Sequence, residues 1–420
     1  MPAKARIVTV LGTASVLPRA PQRATAPLNL VLLAFGFAAF PAYPAFITLS
    51  SVSPPGVSLI PRGVALALLA CCALGALVLA LQLFWERRPL PVTFGPAVAY
   101  IGAWLLAALF GFDPATGLLF VLDGVLVLIF HAAIARFYPD RRAALTMIAA
   151  FLGSGAFVAA LGLGMLALRR PAAMYAVGHG RAISTFVVPG EFAGYLLFLI
   201  PTAIGVALVT GRFWLRVLGI AAAGLGLLAL AATYSRAGWL GFAVGAAFFV
   251  YMLRRSARIG VLLSAALVVG LVTISVYNGH HNPSEYFTRL SIWRTGLRTV
   301  QLFPVTGVGP GAFRHVYPAL RPPDGEPSAF HAHDYLLNAF AETGLVGIAT
   351  LFALWYCFGR AMERALRGAQ GSRRILTLAI LSGFVATLAQ SSLDFIQVVI
   401  LGCWIPFMAL ALGVAEYGLE

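Results

Sequence analysis

The chain has 420 residues, of which 60% are hydrophobic and 10% charged, with a formal net charge of +15. So much apolar surface exceeds what one soluble core can bury, so a soluble globular protein is excluded and the bilayer is the expected solvent. Apolar runs near the ~20 residues that cross ~30 Å of hydrocarbon recur along the chain, without the alternation of a transmembrane barrel.

Twelve spans are predicted, near 28–50, 63–84, 92–112, 116–135, 143–168, 184–210, 216–233, 237–253, 259–278, 334–358, 375–391 and 395–415. The expected fold is therefore an all-α polytopic membrane protein. Its divisions are a cytoplasmic leader (1–27), nine spans (28–278), a long outer loop (279–333), and three further spans with a short tail (334–420). The first span reads as an uncleaved signal anchor. With the N-terminus inside, the inner connections collect Lys4, Arg87, Arg88, Arg141, Arg142, Arg254, Arg255 and the run from Arg360 to Arg374. Roughly two thirds of all Lys and Arg then lie inside, so the charge reports topology and no nucleic acid is expected. Both termini are expected in the cytoplasm of a bacterial inner membrane. Cys71, Cys72, Cys357 and Cys403 fall in apolar runs and read as small hydrophobes.

In the outer loop, Asn282-Pro283-Ser284-Glu285 is a helix start, with Asn as cap and Pro in the first turn. A helix to about Phe303 follows. Tyr286, Leu290, Trp293, Leu297 and Val300 share one face of it, as expected of a helix on the membrane surface. Gly307-Val308-Gly309-Pro310-Gly311 is a turn, since no strand precedes it to make a nucleotide-binding loop.

The outward side carries few arginines, and Arg181, Arg236 and Arg289 stand there although no rule of topology asks for them. A guanidinium stays charged in a low-dielectric site and grips phosphate with two N–H groups, so a lipid-linked phosphate is the expected ligand, against the alternative of snorkelling to headgroups. Arg236 is the sharpest of the three because it lies in a very short turn, Thr233-Tyr234-Ser235-Arg236. Arg294 and Arg298 turn away from Arg289 and are expected to meet headgroups or water.

Six of seven histidines fall outside, but their spacing matches no zinc site, so no metal and no cofactor is expected. His333 is different: it stands where the loop re-enters the membrane, near a helix N-terminus whose dipole favours neutral imidazole, the form able to accept a proton. Its alternative is an interfacial histidine bonded to a carbonyl. Asp334, Glu342 and Asp394 are candidate supporting groups, and Asp394 at the outer end of the last span is expected to pair or to line a cavity.

These residues resemble the O-antigen ligase and O-antigen polymerase superfamily of bacterial envelope glycosyltransferases over roughly 180–415. The carriers are Arg181 with Ser184-Thr185-Phe186, Tyr234-Ser235-Arg236-Ala237-Gly238-Trp239, Arg289 with Trp293, Gly307-Val308-Gly309, and His333 followed at fixed spacing by Gly344 and Gly347. Departures from the ligase pattern are Asp334, Glu191 and Ile348-Ala349.

The resemblance implies a GT-C-like, metal-independent, inverting ligase that moves a preassembled polysaccharide from undecaprenyl diphosphate to lipid A-core on the periplasmic face. Arg236 and Arg289 would hold the diphosphate, Arg181 would help, and His333 would activate the acceptor hydroxyl. Donor glycan, lipid A-core and membrane lipids are the implied partners. A polymerase or a protein O-oligosaccharyltransferase shares this donor and differs only in acceptor. A transporter is the alternative of another class. It is disfavoured because no internal repeat is found and Asp123 and His131 are the main ionisable groups within spans.

Overall fold

The computed structural model describes residues 25–42, 62–86, 90–186, 188–254, 284–394 and 402–419, with three isolated positions (262, 265 and 269) between 255 and 283. Within them the chain is helical and has no strand. In chain order the helices are α1 (Pro27–Ala39), α2 (Arg62–Glu86), α3 (Phe94–Phe110), α4 (Pro114–Phe137), α5 (Arg141–Leu168), α6 (Ala172–Val177) and α7 (Pro189–Val209). They continue with α8 (Phe213–Ala232), α9 (Arg236–Arg254), α10 (Ser284–Leu302), α11 (Phe313–Leu320), α12 (Tyr335–Gly368), α13 (Gly371–Ser391) and α14 (Ile405–Tyr417).

Eight of these helices are long and apolar enough to cross a membrane, and three shorter apolar ones fall on the first, third and twelfth expected spans. The ninth expected span, 259–278, and the helix cap at Asn282 lie outside the described residues. The chain is an all-α polytopic membrane protein.

α7, α9 and α13 form the centre of the bundle. Lipid tails are as apolar as leucine, so close backbone approach rather than hydrophobicity drives this packing. Gly241 and Gly245, four apart on α9, bring it so near α13 that a Cβ on either would meet the Ala386 or Ser382 carbonyl at 2.5 Å. His131, within an expected span, is a core residue: its Nδ1 donates to the Ile405 carbonyl at 2.9 Å and its Nε2 accepts from the Thr93 hydroxyl at 2.9 Å. Both ring nitrogens are used, so this histidine serves the fold.

The tenth span is not the single helix expected over 334–358. α12 is two helical segments broken at Gly344, whose φ of 62° and ψ of −163° belong to no L side chain. The break is filled by the glycine turn that follows α10. Leu345 N–H donates to the Pro304 carbonyl, Val308 N–H to that of Ala341 and Gly309 N–H to that of Glu342, at 2.8, 3.0 and 2.9 Å. These bonds replace the helical ones lost at the break, as backbone near a membrane requires. Gly307, at φ 70°, closes the contact: a Cβ there would lie 2.3 Å from the carbonyl carbon of Glu342.

Outside the bundle, α11 is tied to the α3–α4 turn by Asp113, which caps α4 and meets His315 at 3.1 Å and Arg314 at 3.3 Å. Burial raises the Asp113 carboxyl, but hydrogen bonds from Thr116, His315 and Arg314 outweigh it and hold the group at about 2.

Gly344→Ala should be among the most damaging conservative changes in the chain, because its Cβ would stand 2.2 Å from the Val305 carbonyl oxygen at a positive φ. We expect a loss of about 3 kcal/mol or more, combining backbone strain with a clash against main chain that cannot yield. Gly359→Ala, in open space on the same helix, should leave the thermal midpoint in detergent unchanged or slightly raised.

Candidate functional site

Five of the expected site residues fall at one end of the bundle, joined by a chain of short contacts. The segment carrying Arg181 is tied to the end of α8, with Ala182 N–H donating to the Ala232 carbonyl at 2.9 Å. The turn after α8 presents Tyr234 at a positive φ and Ser235, whose Oγ accepts from Gly238 N–H at 3.1 Å and so starts α9 at Arg236. Gly238 packs on Ala193 in the first turns of α7. Gly190 on that same turn lies against Asp394, so close that a Cβ there would come within 2.6 Å of Oδ2.

Asp394 sits on the turn after α13, and this turn is where the remaining groups converge. Arg289 Nη1 donates to the Leu393 carbonyl beside it. His333 Nδ1 faces Asp394 Oδ1 at 3.4 Å. The turn itself is held by Gln390, which accepts from Asp394 N–H through its own carbonyl at 2.9 Å and donates from Nε2 to the Gly190 carbonyl at 2.7 Å. A buried amide thus links α7, which adjoins Arg236, to the turn that orients His333.

Histidine 333 has a φ of 52°, a left-handed conformation rare outside glycine, in a loop held by Asn338, whose Oδ1 accepts from Ala332 N–H at 3.0 Å. Nδ1 is the ring nitrogen directed at the carboxylate, which leaves Nε2 on the other side of the ring. Arg181 is half-buried and donates from Nε to the Gly178 carbonyl at 3.3 Å.

Two expected supporting residues belong elsewhere. Asp334 is the cap of α12: its Oδ1 accepts from Leu337 N–H at 2.8 Å, so this carboxylate satisfies a helix end. Glu342 is buried at the break in α12, where Oε1 faces Phe313 N–H at 3.4 Å under the glycine turn. Both sit on the helix behind His333 and stabilise it, rather than joining the Asp394 cluster.

His331 was legible only as one of several loop histidines, yet its ring stands edge-on to His333 with centroids 4.3 Å apart. Burial, then the neighbouring His333 and Arg289, push its pKa well below the ordinary 6.5, against an opposing pull from Asp394. At neutral pH it is an uncharged wall of the site.

On α10, the buried face is Ile292, Thr295 and Thr299 with Gly296 against Leu337, while Leu290 and Leu297 of the expected apolar stripe are exposed. Arg294 and Arg298 are exposed on the far side, as expected. The Tyr286 side chain lies outside the described residues. The glycine turn is a structural strap and binds no nucleotide-like cradle, because its N–H groups are spent on α12. An apolar cavity of about 70 Å³, lined by Leu32, Phe37, Cys72, Leu79, Phe130 and Cys403 among others, shares no residue with the cluster.

Because the folded protein keeps His331 below its unfolded pKa, the unfolded chain binds more protons as pH falls through 6.5. Stability is complete above that value and declines below it. The thermal midpoint should drop between pH 7.5 and 5.5, and His331→Gln should flatten that dependence.

No curated protein matches the chain. Residues 221–352 match the family model described as O-antigen ligase, a segment that holds Arg236, Arg289, His333, the glycine turn and the break at Gly344. Over those residues the chain is similar to the O-antigen ligase family, in keeping with the resemblance to the O-antigen ligase and polymerase superfamily.

Proposed function

We propose that the chain is an O-antigen ligase that transfers a preassembled polysaccharide from undecaprenyl diphosphate to a hydroxyl of lipid A-core on the periplasmic side of the inner membrane. The observation that carries this reading is the convergence of His333 and Arg289 on the single turn Leu393–Asp394. A base and a cation meeting at one point suit a displacement in which a hydroxyl is activated beside a diphosphate leaving group.

The acceptor oxygen attacks the anomeric carbon as the bond from that carbon to the diphosphate oxygen breaks, and the electron pair leaves with the diphosphate. The hydroxyl proton passes to His333 Nε2. Asp394 holds the ring by its other nitrogen and offsets the positive charge that forms there. Arg289 and Arg236 stabilise the negative charge that builds on the leaving group, a task for which guanidinium needs no assisting metal. Attack opposite the leaving group inverts the anomeric centre in one step. Arg181 supplies further positive potential at the same end of the bundle.

Transfer from undecaprenyl-diphosphate glycan to purified lipid A-core, run with a chelator present, tests this. Wild type should give product. Arg236→Ala and Arg289→Ala should lose about 10²-fold or more, and His333→Ala between about 10² and 10⁴-fold. Arg294→Ala and Arg298→Ala, on the exposed side of α10, should stay within a few fold of wild type. Elongation of the lipid-linked donor without transfer to lipid A-core would make the chain a polymerase instead, and full activity in the three site variants would overturn the site.

A further inference from the structure

Trp293 stands one helical turn beyond Arg289 on α10, and the spacing of four puts both on one edge of that helix. On one side of this edge lie the packed Ile292 and Gly296, the latter against Leu337. On the other lie Leu290 and Leu297, 46% and 56% exposed, forming an apolar strip open to lipid. The indole therefore lies between the packed face of α10 and its exposed apolar strip. Its Nε1–H is buried and has no hydrogen-bond partner among the described residues.

An interfacial tryptophan that only anchors a helix keeps its N–H in the wet headgroup layer, and a core tryptophan finds an acceptor. Among the described residues this one does neither. A buried donor that finds no acceptor there is costly, and its place one turn from a phosphate-suited arginine suits an acceptor brought by a ligand. The ligand must have an oxygen-rich head within reach of Arg289 and an apolar body that can lie along Leu290 and Leu297.

We infer that Trp293 is a further donor-binding residue, its indole N–H donating to an oxygen of a polyprenyl diphosphate whose charge Arg289 holds. The inference rests on the reading of the chain as an enzyme that takes a lipid-linked diphosphate. Trp293 and Arg289 then grip one head group from a single helix edge. The exposed leucines carry the first isoprene units, so the donor reaches the site sideways from the bilayer and not from the water.

The test is binding of undecaprenyl diphosphate itself to the purified full chain in detergent, with undecaprenol as the tail-only probe. Wild type is compared with Trp293→Phe and with a protein carrying β-(3-benzothienyl)alanine at 293, which keeps the indole's shape and lacks the N–H. Loss of a hydrogen bond to a charged group should weaken diphosphate binding by roughly tenfold or more in both, with undecaprenol binding and the thermal midpoint of the benzothienyl protein unchanged. In transfer assays the defect should appear in KM for the donor and leave kcat nearly as it was. Equal affinity of wild type and benzothienyl protein for the diphosphate would overturn the role of Trp293 alone, even if Trp293→Phe fails to fold. Failure of wild type to bind undecaprenyl diphosphate would overturn the inference together with the lipid-diphosphate reading beneath it.

Discussion

The break in α12 is the constraint on which the candidate site depends. A transmembrane helix that stops at Gly344 leaves carbonyls and N–H groups without helical partners, in a region where water cannot be relied on to satisfy them. The strap from Pro304 to Gly309 satisfies them main chain to main chain, through bonds to Ala341, Glu342 and Leu345. Because no side chain mediates the contact, it admits almost no adjustment, and glycine is required on both sides of it. The short segment from Tyr335 to Thr343, whose Asn338 holds the loop before His333, is thereby fixed at its far end.

A second consequence concerns economy of charge. The carboxylates nearest to His333 in sequence, Asp334 and Glu342, are consumed by the helix that supports it, one as its cap and the other beneath the glycine strap. The carboxylate that reaches the imidazole comes instead from 61 residues away, on the turn after α13. That separation lets the fold stabilise the helix and orient the histidine with different groups, so that neither task compromises the other. The same turn receives Arg289, and through Gly190 and Gln390 it is bound to α7 beside the helix that begins at Arg236.

Much of this was readable along the chain. Apolar run length is a local property dictated by bilayer thickness, so most of the described long helices fall on expected spans within a few residues, although α12 is broken and runs on to Gly368 and α14 begins only at Ile405. Arg181, Arg236 and Arg289 stand out because the expected topology does not ask for charge at those places, and His333 because of where the loop is expected to rejoin the membrane. Other features were not readable. His331 is one of several loop histidines in the sequence, and only the fold sets its ring against His333 and brings Asp394 beside Gly190. Trp293 read as a member of an apolar stripe and, with Arg289, as a carrier of the resemblance, but hydropathy does not report whether an N–H has a partner.

The amino-acid sequence by itself therefore determined that this is a polytopic membrane protein and roughly where most of its described long helices run, and it singled out Arg181, Arg236, Arg289 and His333 as candidates. Those are matters of composition and local period, and the bilayer reads them directly. Tertiary structure alone decided that α12 is broken, that Asp394 and not Asp334 or Glu342 meets His333, and that His331 and Trp293 border the site. Each depends on two segments far apart in the chain approaching within a few ångströms, and no periodicity within either segment encodes the position of the other.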